Sequence, residues 1–437
     1  MPKKNYPGWI SGMLGLLVLA ANSQAGVLLE LYQKALENNP TLLSRKYAIE
    51  QAEAREDQAF SRLLPQISAN GSYSLNKYHR EGLGTNQYEG LRGVVQISQA
   101  LLDLPSYMRY QSAEASTEQS RGQYDAYIME LAGDLLDRYL QILEANDRIE
   151  TLTEEKKSVE TQIKRLRQMR KRQMVKVTDL YEVEAYKEAL NTQIIEAENE
   201  KAIALERIRE ITAVLPEPLA VMSIETFPEV PVDVEQWIKD AVSYNPNLLS
   251  LKAALEAADN IIYANRAGHL PQFTLQLSQI YSDQSFDNQP ISNPYDIGSI
   301  NLQLNIPIFS GGRIEAEVRE AIARWHQLIQ EYERIRRQIE RETRTSFLNS
   351  ISGRARIDST RRQFEAQEKA TKAQKRGYEL GVTTIVDLLE SRKETVRIKT
   401  EHRQACYDYL RSLIALRIWS GGLTMVDIEE IDKWFTL

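Results

Sequence analysis

The chain is short of most things a compact enzyme needs. Among its 437 residues are one cysteine, four histidines, 14 prolines and 20 glycines. With Cys406 alone, no intrachain disulfide can form. Its helical neighbours Ala405, Tyr409 and Leu410 make it a small buried apolar residue. His79, His269, His326 and His402 are scattered, and none has the spacing of a metal-ligand set. There is no Walker loop, HExxH or nucleophile elbow, so no metal, cofactor or catalytic residue is expected and the chain reads as no enzyme. After the N-terminus no run reaches the roughly 18 apolar residues of a helical membrane span. Positive charge is also short. The formal net charge is −7, and losing Lys3 and Lys4 makes it more negative, which argues against a nucleic-acid partner.

What is present is helix-forming and duplicated. Charged residues make up 26 %, and Glu, Lys, Arg, Gln, Ala and Leu fill most of the length, the mix of long helices. Residues 1–25 read as a secretory signal peptide: Lys3 and Lys4, an apolar Ile10–Ala21, and small residues at Ser23-Gln24-Ala25. Beyond it, Asn245–Gln272 repeats Asn39–Gln66 at a shift of 206 without a gap, with 12 identities in 28 positions. Such a match defines the architectural unit, here about half the chain. It predicts two repeats, 26–213 and 233–420. A linker at 214–232 carrying Pro216, Pro218, Pro228 and Pro231 separates them, and a tail at 421–437 ends in a short helical piece around Trp434.

Each repeat begins with helices. Asn39 and Asn245 suit the N-cap and the prolines that follow suit the first turn. After Leu64-Pro65-Gln66 and Leu270-Pro271-Gln272 the period changes to two. In the first copy Ile67, Ala69, Gly71, Tyr73 and Leu75 alternate with polar residues. In the second, Ile300, Leu302, Leu304 and Ile306 do so. We expect hairpins at about 67–99 and 273–307, with loops at His79–Gln87 and Ser282–Asp296 and strands of about 9–11 residues, enough to cross a bilayer. Tyr73, Tyr78, Tyr88, Phe273, Tyr281 and Tyr295 fall near the expected strand ends, as in an interfacial belt. The alternative is a pair of soluble hairpins, but neither repeat offers a globular core to receive them.

A long helical stretch follows each hairpin. Arg313–Leu380 spaces Val318, Ala321, Trp325, Leu328, Tyr332, Ile335 and Ile339 by threes and fours. Ile128, Ala132, Leu135, Tyr139, Ile142 and Ile149 do the same in the first copy, interrupted by Asn146. At 1.5 Å per residue such a helix spans about 100 Å. Each turns and returns, at about 173–178 and at 381–384. Four strands cannot lie in lipid as an open sheet, because their edge N–H and C=O groups would be unpaired. Two chains would close about eight strands into a filled barrel, and three would close twelve around a lumen.

The order helix, Leu-Pro strand, hairpin and long helix pair, used twice, resembles the TolC family of outer-membrane efflux and secretion channels. The passages NLQLNIPIFSGGR and YELGVTTIVDLLES carry the resemblance most specifically. It implies an α+β membrane protein: a homotrimer with a 12-stranded transmembrane β-barrel, four strands per chain, continued by a long α-helical periplasmic tunnel. The implied partners are outer-membrane lipid, a periplasmic adaptor, and an inner-membrane ABC transporter or proton-driven pump. The implied role is a passive conduit for type I protein secretion or small-molecule efflux. The tail GGLTMVDIEEIDKW favours the secretion branch. A periplasmic coiled-coil scaffold or adaptor without a pore is the alternative.

By the same resemblance the channel narrows at the helical tips. Asp387 and Glu390 match an acidic pair, Tyr378 an aromatic closing contact, and Asp179 its acidic partner. Gly381 and Val382 form the tip, and with Arg170, Lys171 and Arg172 they are expected to meet the adaptor. The chain departs in two places: Thr383 stands where the family often has a basic residue, and Gln173 stands where the second copy has Gly381. The first tip is strongly basic, with Arg165, Arg167, Arg170, Lys171, Arg172 and Lys176. Glu182, Glu184 and Glu188 are available to balance it as a solvated face.

Overall fold

The computed structural model describes residues 27–82, 84–215, 221–222, 227–229, 233–286, 294–423 and 425–436. The expected signal peptide and most of the proline-rich linker lie outside the described residues. The first half contains α1 (Val27–Asn38), α2 (Pro40–Ser61), β1 (Gln66–Arg80), β2 (Gly84–Leu102), α3 (Leu104–Lys171) and α4 (Val177–Thr212). After β3 (Val221–Met222) come α5 (Val234–Tyr244), α6 (Pro246–Arg266), a 3-10 turn at Ala267–His269, β4 (Gln272–Phe286) and β5 (Tyr295–Asn305). The chain continues with α7 (Arg313–Glu379), α8 (Ile385–Trp419), α9 (Met425–Asp432) and β6 (Phe435–Thr436).

The Asn-Pro starts act as caps. The Leu42 amide donates to Asn39 Oδ1 at 2.9 Å, and the Asn247 amide to Asn245 Oδ1 at 3.0 Å. Both asparagines are buried and use their remaining polar groups across helices: Tyr127 Oη donates to Asn39 Oδ1, and Asn245 Nδ2 to the Trp419 carbonyl. Each cap therefore also fixes where its helix lands.

The two hairpins join into one antiparallel sheet in the order β1-β2-β4-β5. Its register aligns Ile67, Ile97, Leu277 and Ile300 across all four strands on one face. On the other face Ser68, Gln96, Ser278 and Ser299 align, with the hydroxyls of Ser278 and Ser299 2.7 Å apart. Much of the apolar face is exposed among the described residues. Ile67, Leu75 and Ile300 are 72 %, 73 % and 75 % exposed, an arrangement suited to hydrocarbon and not to water. β1 and β5 are the two edges.

The strands run longer than expected. β1 and β2 have 15 and 19 residues, and the pairs Tyr78↔Asn86 and His79↔Thr85 carry the ladder through most of the expected loop. The described turn residues are Glu81 and Gly82, and Gly82 and Gly84 take φ 84° and 83°. Ser282–Phe286 and Tyr295–Asp296 are likewise strand, and 287–293 lie outside the described residues. The alternation is polar on both faces there, so the pattern faded before the hydrogen bonding did. Tyr73 and Tyr281, expected near strand ends, consequently lie inside longer strands.

The main core lies midway along the long helices, where α1, α3, α4, α8 and α9 meet. Leu28, Leu135, Tyr139, Ile142, Tyr407 and Ile431 are essentially without exposure there. Cys406 is among them, and burial pushes its thiol up to about 11. The first-copy seam is mostly buried within the chain. In the second, only Ala321 and Ile339 are buried, and Val318, Trp325, Leu328, Tyr332 and Ile335 remain half-covered. The tail also differs from expectation: its helix ends at Asp432 and Trp434 follows it. β6 then pairs with β3 of the linker, and Tyr409 Oη donates to the Pro228 carbonyl at 2.6 Å. Two two-residue strands are too short for any periodicity to reveal.

The repeats meet most closely where α6 lies on α3. A Cβ at Gly122 would sit 2.9 Å from Ser250 Cβ and 3.0 Å from its Cα, while Ser250 Oγ donates to the Gln119 carbonyl at 3.1 Å. Gly122→Val should therefore cost about 1–3 kcal/mol by overpacking, read as a lower thermal midpoint, with Gly122→Ala intermediate.

Candidate gate at the helical tips

Both hairpins turn through the same backbone geometry. The Met174 amide donates to the Met169 carbonyl at 3.0 Å, and the Val382 amide to Gly377 at 2.9 Å. The inner bonds Gln173→Arg170 and Gly381→Tyr378 match as well. Each turn needs one left-handed residue. The second tip uses Gly381 at φ 76°, while the first forces Gln173 to φ 57°, at a cost of about 1–2 kcal/mol.

The return helices start differently. In α8 the Asp387 amide donates to Thr384 Oγ1 at 3.2 Å, and the Thr384 amide and hydroxyl donate back to Asp387 Oδ2 at 3.0 and 2.6 Å. This is a complete capping box. These bonds from Thr384 hold the Asp387 carboxyl below the ordinary aspartate range. In α4 the cap is Lys176, which makes no side-chain bond. Asp179, at the position Asp387 holds in α8, is left out of any box.

Asp179 is instead brought beside Tyr378. Burial, then the Asp179 charge, pushes the Tyr378 hydroxyl up, with Arg165 opposing. These residues line a cleft of about 740 Å³ between the two tips, together with Glu379, Gly381 and Thr384. Arg165 Nη1 lies 3.2 Å from Glu379 Oε1 and holds that carboxyl below its usual value. Asp387 and Glu390 do not line this cleft; both are exposed, and Glu390 Oε2 is 3.7 Å from Lys393 Nζ. The four expected gate residues thus form two separate pairs. Of the basic run, Arg165 pairs with Glu379 and Arg167 with Glu184 at 2.8 Å. Arg170, Lys171, Arg172 and Lys176 are exposed and make no ion pair among the described residues, and Val382 projects from the tip at 78 % exposure. Thr383, at the departure noted above, donates to the Gln374 carbonyl at 3.3 Å.

One cluster was missed. About two helical turns above the second tip, Arg392 Nε lies 2.9 Å from Glu155 Oε1, and Nη2 donates to Oε2 at 3.2 Å. The two side chains are only 13 % and 14 % exposed. Burial raises the Glu155 carboxyl, while Arg392 and a hydrogen bond from Tyr186 pull it down. Burial and the neighbouring Glu155 raise the Tyr186 hydroxyl. In sequence Glu155 belongs to the charged run EEKK and looks solvated. Its signal is its phase, since it interrupts the buried seam Leu152, Val159, Ile163 and Leu166.

A subunit that bares an apolar sheet face and carries paired helices about 100 Å to a charged tip is built as part of an outer-membrane export channel. The sequence matches the outer membrane efflux protein family over residues 31–214 and again over 237–422, and the chain belongs to that family. It is 28 % identical to outer membrane protein TolC of Vibrio cholerae serotype O1, over 98 % of both chains. It is also 28 % identical to alkaline protease secretion protein AprF of Pseudomonas aeruginosa, over 99 % of this chain and 92 % of that one. The fold is shared with the Campylobacter jejuni CmeC outer membrane channel, with TM-score 0.79, 17 % identity and coverage of 100 % and 98 %. A crystal structure of CusC gives 0.80, 17 %, 91 % and 92 %. The protein is an outer-membrane efflux or secretion channel of the Gram-negative type, with its helical part in the periplasm. Its family is one of transport channels, not of enzymes.

Arg392→Ala strands a buried carboxylate and should cost about 3–5 kcal/mol, seen as lost hydrogen-exchange protection over residues 152–166. Replacing Arg392 and Glu155 together by Met and Leu should cost far less. For Asp387, whose folded value is lowered, the capping contribution is fully present above the ordinary value of 3.8 and is lost as pH falls through the lowered one. Asp387→Asn should abolish that acid-dependent loosening of the α8 start, measured by amide exchange at 384–388.

Proposed function

We propose that three copies assemble into a 12-stranded transmembrane barrel continued by a helical tunnel, a passive conduit docked to a periplasmic adaptor and an inner-membrane ABC transporter. The observation that carries this is the open sheet. β1 and β5 are its edges and run in opposite directions, so β5 of one copy pairs antiparallel with β1 of the next. Closure removes every unpaired edge from lipid. Two copies would close eight strands with no room for cargo, and three leave a lumen of about twelve strands. Exposed Leu348 and Ile351 on α7, with Ile195 and Ile203 on α4, supply apolar stripes for neighbouring copies. Each repeat, 26–213 and 233–420, contributes one hairpin to the wall and one helix pair to the tube. Residues 214–232 join them, 421–437 close the joint, and 1–25 are removed on export.

At the tip, Asp387 and Glu390 form acidic rings that favour cations. Tyr378 and Asp179 hold the second tip against the first in the closed state. Gly381 and Val382, with the unpaired Arg170, Lys171 and Arg172, meet the adaptor. Secreted polypeptide is the cargo, a reading supported by the names of AprF and of the proteases secretion protein PrtF of Dickeya chrysanthemi. Purified protein in planar bilayers should conduct with cation preference, and Asp387→Asn with Glu390→Gln should reduce that preference several-fold. A purified oligomer that never conducts would sink the channel assembly. Co-purification of a proton-driven pump in place of an ABC transporter would overturn the cargo assignment.

A further inference from the structure

α3 touches both return helices, its own α4 and the second repeat's α8, and it meets them with opposite charge. Toward α4 it presents bases: Arg138 to Glu210 at 2.9 Å, Arg148 to Glu200 at 2.8 Å and Arg167 to Glu184 at 2.8 Å. Toward α8 it presents acids: Asp137 and Glu144 to Arg411 at 2.9 and 2.8 Å, and Asp147 to Arg403 at 3.3 Å. Glu154 meets Lys399 at 2.8 Å and Glu155 meets Arg392 at 2.9 Å. Among the described residues, every ion pair across these two seams obeys this rule.

The internal repeat gives the pattern meaning. On both arms of the long hairpins the copies align at a shift of 208, which places Arg148-Ile149-Glu150 on Arg356-Ile357-Asp358, Gln173 on Gly381 and Asp179 on Asp387. At that shift the in-hairpin pair Arg148–Glu200 corresponds to Arg356–Asp408, an ion pair of the second hairpin at 3.3 Å. That rung is present in both copies. The pair Arg167–Glu184, however, corresponds to Lys375 and Arg392, two bases. The second return helix has exchanged an acid for a base at this position and turned it onto Glu155 of α3.

We propose that this charge reversal is an address: α3 distinguishes two return helices of common plan by sign, and so admits α8 and not a second α4-like helix on its acidic face. Apolar seams are poor at this discrimination because either return helix offers Leu, Ile and Ala at the right spacing. An α4-like helix on this face would set Glu184 against Glu155 and leave Glu154, Asp147 and Glu144 opposite Asn191, Ile195 and Ile203, so the wrong partner meets a like charge at the buried rung and unpaired acids at the others. Most rungs are half-exposed, and a surface pair adds little stability. Their value is in the sign. The lowest rung, Glu155–Arg392, is the most buried, so the address is strictest nearest the tip, where the position of α8 sets where Tyr378 meets Asp179. The inference concerns a single chain and does not rest on the number of copies in the assembly.

The test uses full-length protein with Cys406→Ala and cysteines introduced at Glu154 and Lys399 as a reporter of the α3–α8 seam, joined by a short bis-maleimide. Three sets are compared: Arg392, Arg403 and Arg411 each to Gln together with Glu155→Gln, Asp147→Asn and Glu144→Gln, so that no buried charge is stranded; the three arginines each to Glu; and the three arginines each to Glu with Glu155, Asp147 and Glu144 each to Arg. The neutral set should crosslink within the chain nearly as the parent does, the reversed set roughly tenfold less, and the exchanged set should recover. A role in stability alone would weaken the neutral set too, and would show in its melting. Equal crosslinking by the neutral and reversed sets would overturn the proposal. If the reversed set fails to fold, the exchanged set decides: recovery supports the address, and failure beside a folded neutral set overturns it.

Discussion

Lipid cannot hydrogen-bond a peptide group, and most of this structure follows from that. A sheet exposed to hydrocarbon must leave no edge, so four strands with a bare apolar face and two open edges describe a part and not a whole. Among the described residues no helix is long and apolar enough to cross a membrane, and the long helices are polar, charged and half-covered. Their half-coverage along the second seam fits the proposed assembly in the same way as the bare face of the sheet does.

Within the chain, duplication supplies the parts and asymmetry gives them separate tasks. The two tip turns share their backbone hydrogen bonds, and Asn39 and Asn245 both cap their helices, one through the amide three residues on and the other through the amide two residues on. The helix starts beyond the tips differ. Thr384 draws Asp387 into a cap, whereas Lys176 cannot cap, which leaves Asp179 available to Tyr378. One substitution at a cap position thus assigns two equivalent carboxylates to different work.

The sequence made the architecture legible where a single period dominates. Asn-Pro starts, Leu-Pro-Gln ends, alternation over the lipid-facing strands and the long three-four seams all report physics that acts over many residues. It failed where the signal is short or mixed. The outer parts of the hairpins are polar on both faces, so they read as loops. β3 and β6 have two residues each. Glu155 lay hidden in a run of charges, although its phase on the seam marked it. The resemblance names four candidate gate residues, but spacing on separate helices could not show that Tyr378 and Asp179 share a cleft that Asp387 and Glu390 do not line. Thr384-x-x-Asp387 is a capping-box pattern legible in the sequence itself, separate from the resemblance that singles out Asp387.

The main core joins the first helix of the described chain to its last: Leu28 and Leu31 of α1 share a cluster with Ile428 and Ile431 of α9, and β6 completes the ladder with β3. A core that draws on both α1 and α9 cannot close until the two have met. Contacts of such sequence separation form slowly. The packing that ties the helices of both repeats together is therefore a late step of folding, and α9 with β6 braces a joint that the long helices alone leave open.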